Sequence, residues 1–205
     1  MRKFMFMFAV VFLALSPQCK AATGTPSEYD TLLAALKAGD TKIDFTRLRL
    51  SYMDSPEYQR AKDTTDAERA MAQALNAKDY AKALKEAETV LDSEYVNIDA
   101  HFIALVANRE LGNADQSEFH RAIFRGLVDS IRNSGDGLSM EKAWVVINVH
   151  EEYVMLRVLG FQPSGQSLAH KDGHSYDVMT VKNVESGKEQ TFYFNVDIPF
   201  KHYSQ

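Results

Sequence analysis

Apolar and small residues recur at helical spacing through the centre of the chain, from about residue 70 to residue 125. Two polar turns interrupt this pattern, at residues 78–80 and 112–114. A turn inside an amphipathic, alanine-rich stretch is typical of two helices that pack against each other. The pattern therefore predicts two consecutive helical hairpins.

The two turns begin about 34 residues apart, which is the period of tetratricopeptide-type repeats. Ala83, Ala87 and Ala100 are small enough for neighbouring helices to approach closely, as stacked hairpins require. The alignment of the two hairpins is imperfect, because Ala87 aligns with Arg121. We interpret the segment as tetratricopeptide-like, with an irregular helical bundle as the alternative, and we expect flanking helices to cap it.

Two shorter helices are predicted before the hairpins, with Ser27 and Asp44 as their N-caps. The apolar positions of the second helix lie on one stripe, at Phe45, Leu48 and Tyr52. Such a stripe faces the core, so Arg47 and Arg49 are expected at the sides of this helix.

The pattern changes twice after the hairpins. Residues 139–159 are apolar on most sides of a helix, which predicts a long helix that is buried by several neighbours. Turn signals then separate strands at 167–170, 175–184 and 189–197, and these predict a three-stranded antiparallel meander. The expected fold class is α+β, with about seven helices and with the meander packed on the long helix.

The amino-terminal stretch has the layout of a secretory signal peptide. Arg2 and Lys3 precede an apolar run, residues 4–15, which is too short to cross a bilayer as a helix. Small residues at Cys19 and Ala21 favour cleavage after Ala21, and acylation of Cys19 is the alternative.

Cleavage at this site divides the chain into a signal peptide (1–21), a helical, repeat-like region (22–162) and a β-meander (163–205). The last two form one compact unit.

The mature chain has no cysteine, because Cys19 is the only one, so its core alone must stabilise it. It keeps 20 of the 23 basic residues against 28 acidic ones, a net charge of −8. This balance argues against nucleic acid or an anionic membrane as a partner, and we expect a periplasmic or secreted protein.

Alternation in the last predicted strand separates two faces. Phe192, Phe194, Val196 and Ile198 fall on one face, which must be buried. Polar side chains fall on the other, and we predict a possible recognition surface at Tyr193, Asn195 and Asp197.

Two groups of residues suggest chemistry. His170, Asp172 and His174 surround one hairpin tip and are weak candidates for a zinc or copper site, with a solvated turn as the alternative. His150, Glu151 and Glu152 lie together in the long helix, but adjacent residues point about 100° apart and do not converge on one atom. We predict no metal and no cofactor from these patterns.

Three segments resemble an uncharacterised bacterial family. The most specific is YFNVDIPF at residues 193–200, and DFTRLR at 44–49 and SGDG at 134–137 accompany it. The chain resembles domain-of-unknown-function family 4919 over nearly its whole mature length. This resemblance implies a secreted protein with helices and a sheet, and it brings no assigned activity.

The best interpretation of function is a non-catalytic binding or scaffold protein of the bacterial cell envelope. Stacked helical hairpins commonly hold peptides or extended segments of partners, so an envelope protein or peptide is the expected partner. The alternative is an unrecognised hydrolase or metal-dependent enzyme, whose site would be assembled from distant residues.

Overall fold

The computed structural model describes residues 26–203, and the predicted signal peptide (1–21) with Cys19 lies outside the described residues. Nine α-helices lie within the described range: α1 Glu28–Lys37, α2 Phe45–Tyr52, α3 Pro56–Arg60, α4 Thr65–Asn76, α5 Tyr80–Ser93, α6 Ile98–Glu110, α7 Ala114–Arg132, α8 Val149–Val158 and α9 Asp197–Tyr203. None of these helices is both long enough and apolar enough to cross a membrane.

Four strands form one mixed sheet in the same range: β1 Trp144–Val145, β2 Phe161–Lys171, β3 His174–Asn183 and β4 Glu189–Asn195. Their spatial order is β1-β4-β3-β2. Strands β2, β3 and β4 are antiparallel, whereas β1 runs parallel to β4. The α+β class is confirmed, but the purely antiparallel three-stranded sheet is wrong. β1 is only two residues long, so the sequence shows no alternation of apolar and polar residues that could predict it. It is defined as a strand only by its pairing with β4.

The two helical hairpins lie where the apolar pattern predicts them. α4 packs on α5, α6 packs on α7, and α5 also packs on α6. The Asp79 carboxylate accepts a hydrogen bond from the backbone N–H of Lys82, which caps α5. Ala83, Ala87 and Ala100 are buried in a cluster separate from the main core. The likeness of the hairpins to tetratricopeptide repeats stays a prediction.

Both N-caps predicted before the hairpins are confirmed. The Ser27 hydroxyl accepts a hydrogen bond from the backbone N–H of Asp30, and the Asp44 carboxylate accepts one from that of Arg47, each at 3.0 Å. A further helix, α3, which the apolar pattern does not predict, begins at Pro56. Proline suits this first helical position, where its missing N–H loses no hydrogen bond.

The long helix predicted over residues 139–159 is wrong. A 3₁₀ turn (Met140–Lys142) and β1 occupy its first part, and α8 begins only at Val149. The side-chain oxygen of Asn148 accepts a hydrogen bond from the backbone N–H of Glu151 at 3.0 Å, so Asn148 caps α8. Residues 144–147 include three β-branched side chains, which favour extended backbone over helix.

The main core lies between the sheet and the helices α1, α2, α7 and α8. As the alternation predicts, Phe192, Phe194 and Val196 are buried. The ring of Trp144 lies against β4, with centroid distances of 5.0 Å to Phe192 and 5.5 Å to Phe194. The indole of β1 therefore lies beside the phenylalanines of β4 and extends the buried face of the sheet.

Arg49 is only 1% exposed, a burial that the apolar stripe of α2 does not predict. Its Nη1 donates to the Glu151 carboxylate at 2.6 Å, its Nε donates to Ser130 Oγ at 2.9 Å, and its Nη2 donates to the carbonyl oxygen of Val145 at 3.1 Å. The same Glu151 oxygen accepts from the backbone N–H of Ile147 at 2.9 Å. One buried ion pair therefore joins α2, α7, β1 and α8.

Candidate binding pocket around Glu94

The predicted recognition surface lies at the end of β4 and the start of α9, where Tyr193, Asn195 and Asp197 are all half-buried. One oxygen of Asp197 accepts a hydrogen bond from the backbone N–H of Ser175 at 2.7 Å, and the other lies 2.6 Å from His174 Nδ1. The Asn195 amide donates to the same carboxylate at 3.1 Å. Asp197 therefore holds β3 against the start of α9, and a role of the three residues in recognition stays a prediction.

The two histidines at the β2–β3 hairpin tip, which are weak candidates for a metal site, have different partners. His170 Nδ1 lies 3.1 Å from Ser175 Oγ, whereas His174 pairs with Asp197. Asp172 adopts a φ of 53°, the left-handed conformation that a two-residue hairpin turn requires. In the described part of the chain, no three histidine, cysteine, aspartate or glutamate side chains are grouped so that they could hold a metal ion.

His150, Glu151 and Glu152 point in three directions from α8. His150 Nε2 lies 2.9 Å from the carboxylate of Asp99 on α6, and this hydrogen bond raises the pKa of His150. Glu151 belongs to the buried ion pair with the α2 arginine. Glu152 faces β3, beside Asp177. The three side chains therefore do not form a common site.

Glu152 and Asp177 form a buried pair of carboxyl groups between α8 and β3. Burial, with a further contribution from Asp177, raises the pKa of Glu152 to about 9. Both Glu152 oxygens are buried without a hydrogen-bond partner among the described residues, and such an environment favours the protonated carboxyl. The carboxylate of Asp177 accepts a hydrogen bond from the Gln166 side-chain amide at 2.7 Å.

We expect Glu152→Gln to flatten the pH dependence of stability. The pKa of Glu152 is higher in the folded state than in the unfolded chain. The contribution of the protonated Glu152 carboxyl to the free energy of unfolding is therefore lost as pH rises from about 4.5 towards 9. At about 1.4 kcal/mol per pH unit, the loss at pH 7 is at most about 3.5 kcal/mol. Urea unfolding should show the variant close to the wild type at pH 5 and more stable at pH 8.

The control is Glu185→Gln in the exposed turn between β3 and β4. This variant should keep the wild-type slope of unfolding free energy against pH. Equal slopes for Glu152→Gln and Glu185→Gln would show that Glu152 is ionised in the folded protein.

A pocket of about 130 Å³ lies where several distant segments of the chain meet. α2 and α3 contribute Tyr52 and Tyr58 to its wall, and α9 contributes His202. Glu94 follows the end of α5, and Asn148 precedes α8. Because the wall draws on both ends of the described chain, the pocket exists only in the folded protein.

Two helix-capping asparagines hold Glu94 in place. The side-chain oxygens of Asn97 and Asn148 cap α6 and α8, which leaves their NH₂ groups free to donate elsewhere. Asn97 donates to one oxygen of Glu94 at 3.2 Å, and Asn148 donates to the other at 3.4 Å. Asn97 also lies 3.4 Å from the carboxylate of Glu68 on α4. The capping of two helices therefore also fixes the position of the Glu94 carboxyl.

Burial raises the pKa of Glu94 to about 7. The hydrogen bond from Asn97 opposes this shift, while the negative charges of Glu151 and Glu68 add to it. His150 lowers the pKa again, although its own ion pair is with Asp99. A carboxyl that titrates near neutrality inside a pocket can exchange a proton or bind a cation, and such groups are typical of functional sites.

Aromatic rings form a continuous row beside the carboxyl. The ring centroids of Tyr29 and Tyr52 are 5.2 Å apart, those of Tyr52 and Tyr58 are 5.5 Å apart, and those of Tyr58 and His202 are 5.2 Å apart. Burial raises the pKa of Tyr52, and the charge of Glu94 raises it further. The tyrosine ring and the carboxyl therefore influence each other electrostatically.

A larger hollow of about 370 Å³ lies between α3, α4 and α5. Its charged groups are mostly exposed and engaged in local contacts: Arg60 pairs with Glu57 at 2.6 Å, and Asp63 accepts from the backbone N–H of Thr65 at 2.9 Å. One oxygen of Glu57 is buried and has no hydrogen-bond partner. We favour the smaller pocket as the functional site, because two side-chain amides hold its half-buried carboxyl and burial raises the pKa of that carboxyl to about 7.

The sequence pattern does not single out Glu94, Asn97 or Asn148. Two signals point to part of the site, because asparagine is a strong N-cap residue and both asparagines directly precede a helix. Tyr52 lies on the predicted core-facing stripe, and it is indeed buried. Asn97 is a near neighbour of Glu94 in the sequence, but nothing local to residue 94 indicates that the distant amide of Asn148 also reaches it.

The family model of a domain of unknown function, DUF4919, matches residues 20–205. No curated protein and no solved structure matches the chain. The match agrees with the resemblance that the terminal YFNVDIPF segment suggests.

Proposed function

This chain belongs to the family described as a domain of unknown function, DUF4919, and we propose that it acts as a non-catalytic binding or scaffold protein of the cell envelope. The observation that carries the proposal is the pocket around Glu94, in which aromatic and apolar residues line the same cavity as one half-buried carboxyl. A few polar groups that fix orientation within a mostly apolar wall are typical of binding sites.

The size of the pocket indicates what it can bind. At about 130 Å³ it is smaller than the roughly 300–1,000 Å³ of sites that enclose a drug-sized ligand. It has the size of one protruding group, such as a side chain of a partner protein. A binding protein that engages its partner through one anchoring side chain would use such a pocket at the centre of a wider contact surface.

The proposed partner is an envelope protein or peptide, which the chain would meet after export to the periplasm or to the outside of the cell. The proposal of export rests on the basic start and apolar run of the first 15 residues. The acidic mature chain also favours a partner with exposed positive charge.

A photo-crosslinking residue at His202, on the pocket wall, tests this function in the mature protein. We expect it to capture one reproducible partner from envelope extract, whereas the same residue at Glu185, in the exposed β3–β4 turn, should not. The purified partner should then bind the wild type and bind a Glu94→Gln variant more weakly. Capture of the same species at both positions would contradict the proposal, as would capture of none.

A second candidate function, acid–base catalysis by a hydrolase, is favoured by the pKa of Glu94, about 7. A panel of ester, peptide and glycoside substrates tests it, with Glu94→Gln as the control for each hit. Hydrolysis that depends on Glu94 would establish this second function. Its metal-dependent form requires stoichiometric metal in the purified protein, lost on His170→Ala.

A further inference from the structure

We infer that the group bound in the Glu94 pocket is an alkylammonium, the end of a lysine side chain. The inference rests on the proposed function and names the chemistry of its ligand. Three features of the pocket carry it: the charge around Glu94, the aromatic wall and the apolar residues at its base.

Among the residues that the structure describes, the carboxyl of Glu94 has no ion-pair partner. Within residues 26–203, no lysine, arginine or histidine nitrogen forms an ion pair with it: Arg49 pairs with Glu151, and His150 pairs with Asp99. The hydrogen bonds that Glu94 accepts come from two neutral amides. A cation that enters the pocket would supply the missing charge and favour the ionised form of Glu94.

The nearby charged groups also favour a cation. Glu68 and Glu94 both lie within hydrogen-bond distance of the same side-chain nitrogen of Asn97. Both Glu68 and Glu151 act on Glu94 as negative charges. His150 is the neighbouring positive group in this field, and it already pairs with Asp99. An anionic ligand would therefore meet repulsion at Glu94, whereas a cationic one would be attracted.

The aromatic wall suits a cation as well. Tyr52, Tyr58 and His202 line the pocket together with Glu94, and their rings are in contact with one another. Aromatic faces attract ammonium groups through the negative potential above the ring, and aromatic cages bind such cations in many proteins. Tyrosine rings beside a carboxylate are therefore a suitable environment for an ammonium group that has left water.

The single carboxyl of the pocket favours lysine over arginine, because both side chains have an aliphatic stem and they differ in the head group. Met53, Ile147 and Pro199 are buried and line the pocket, so they can contact the aliphatic stem of lysine. The ammonium head is compact, whereas a guanidinium is planar and presents five donors in a rigid fork. With Glu94 as its one carboxyl, the pocket matches a single compact charge better than a fork of donors.

Calorimetric titration with two blocked amino acids tests the inference. Nα-acetyl-lysine methylamide carries the charge, and Nα-acetyl-norleucine methylamide has the same stem without it. We expect the mature protein to bind the lysine compound at least about tenfold more tightly, which corresponds to about 1.4 kcal/mol. The preference should strengthen as pH rises through about 7, because Glu94 then ionises.

Glu94→Gln should abolish this preference while circular dichroism and thermal unfolding show that the variant remains folded. The matched control is Glu68→Gln, which removes a neighbouring carboxylate that does not line the pocket. Its preference for lysine should change by less than about threefold, the size expected for a screened, indirect charge.

The outcomes separate the inference from the proposed function. If norleucine binds as well as lysine, or if Glu94→Gln keeps the preference, the inference is overturned, while crosslinking of a partner at His202 would still support a binding function. If neither compound binds the wild type, lysine is not the ligand. If lysine binds with the expected preference and no partner is crosslinked, the inference holds and the proposed envelope partner is wrong.

Discussion

Replacing Arg49 with methionine is expected to destabilise the protein by about 3–5 kcal/mol, because the change leaves the buried Glu151 carboxylate without a counter-charge. Both side chains are almost fully buried, 1% and 3% exposed, so water cannot replace the lost partner. Two further hydrogen bonds, to Ser130 and to the Val145 carbonyl, are lost with the guanidinium. Urea unfolding at pH 7 measures the effect.

Arg47 provides the matched control, two residues away on the same helix. Its ion pair with Glu28 lies on the surface, with the arginine side chain 65% exposed, and exposed pairs contribute about 0–1 kcal/mol. The double variant Arg49→Met with Glu151→Met should recover most of the stability, because it removes both charges together. Equal losses for Arg47→Met and Arg49→Met would show that the buried pair has no special role.

Phe194→Ala is expected to cost about 3–5 kcal/mol, the range for deleting a large side chain from a close-packed core. Phe194 is fully buried, and the Trp144 ring lies 5.5 Å from its ring centroid. Alanine would leave a cavity beside the indole that the short β1 strand cannot move far to fill. Thermal or urea unfolding of the single variant measures the loss.

The comparison for Phe194→Ala is a triple variant on the other face, with alanine at Tyr193, Asn195 and Asp197. All three side chains are half-buried, so their loss should cost less than the loss of Phe194. Part of that smaller cost comes from Asp197, which accepts the backbone hydrogen bond of Ser175. If the triple variant unfolds as readily as Phe194→Ala, the polar face is structural and is not a recognition surface.

The correct sequence predictions are those that depend on a few adjacent residues. Ser27 and Asp44 cap helices because each side chain reaches a backbone N–H three residues ahead. The buried face of β4 follows from the alternation of side chains along a strand. Both kinds of signal are complete within one turn or one strand, so they can be read without the rest of the fold.

The long helix is wrong for a reason that is partly local. Apolar residues on most sides of a helix and apolar residues in a buried strand give similar patterns, and residues 144–147 fit both. Two features of the fold favour a strand over a helix at these residues. β1 pairs in parallel with the edge of β4, and Asn148 caps α8, so the helix begins only after β1 has ended. The partner strand lies about 50 residues further along the chain, from Trp144 to Phe194.

Short-range hydrogen bonds and side-chain periodicity can be read from the sequence, and they predict the α+β class, the two hairpins, the first two helix caps and the buried face of β4. The burial of Arg49 and the pocket around Glu94 arise from contacts between distant parts of the chain. Glu151 is about 100 residues from Arg49, and Asn148 and His202 reach Glu94 from other elements. The environment of a charged side chain depends on its neighbours in space, and chain folding brings those neighbours together from distant positions.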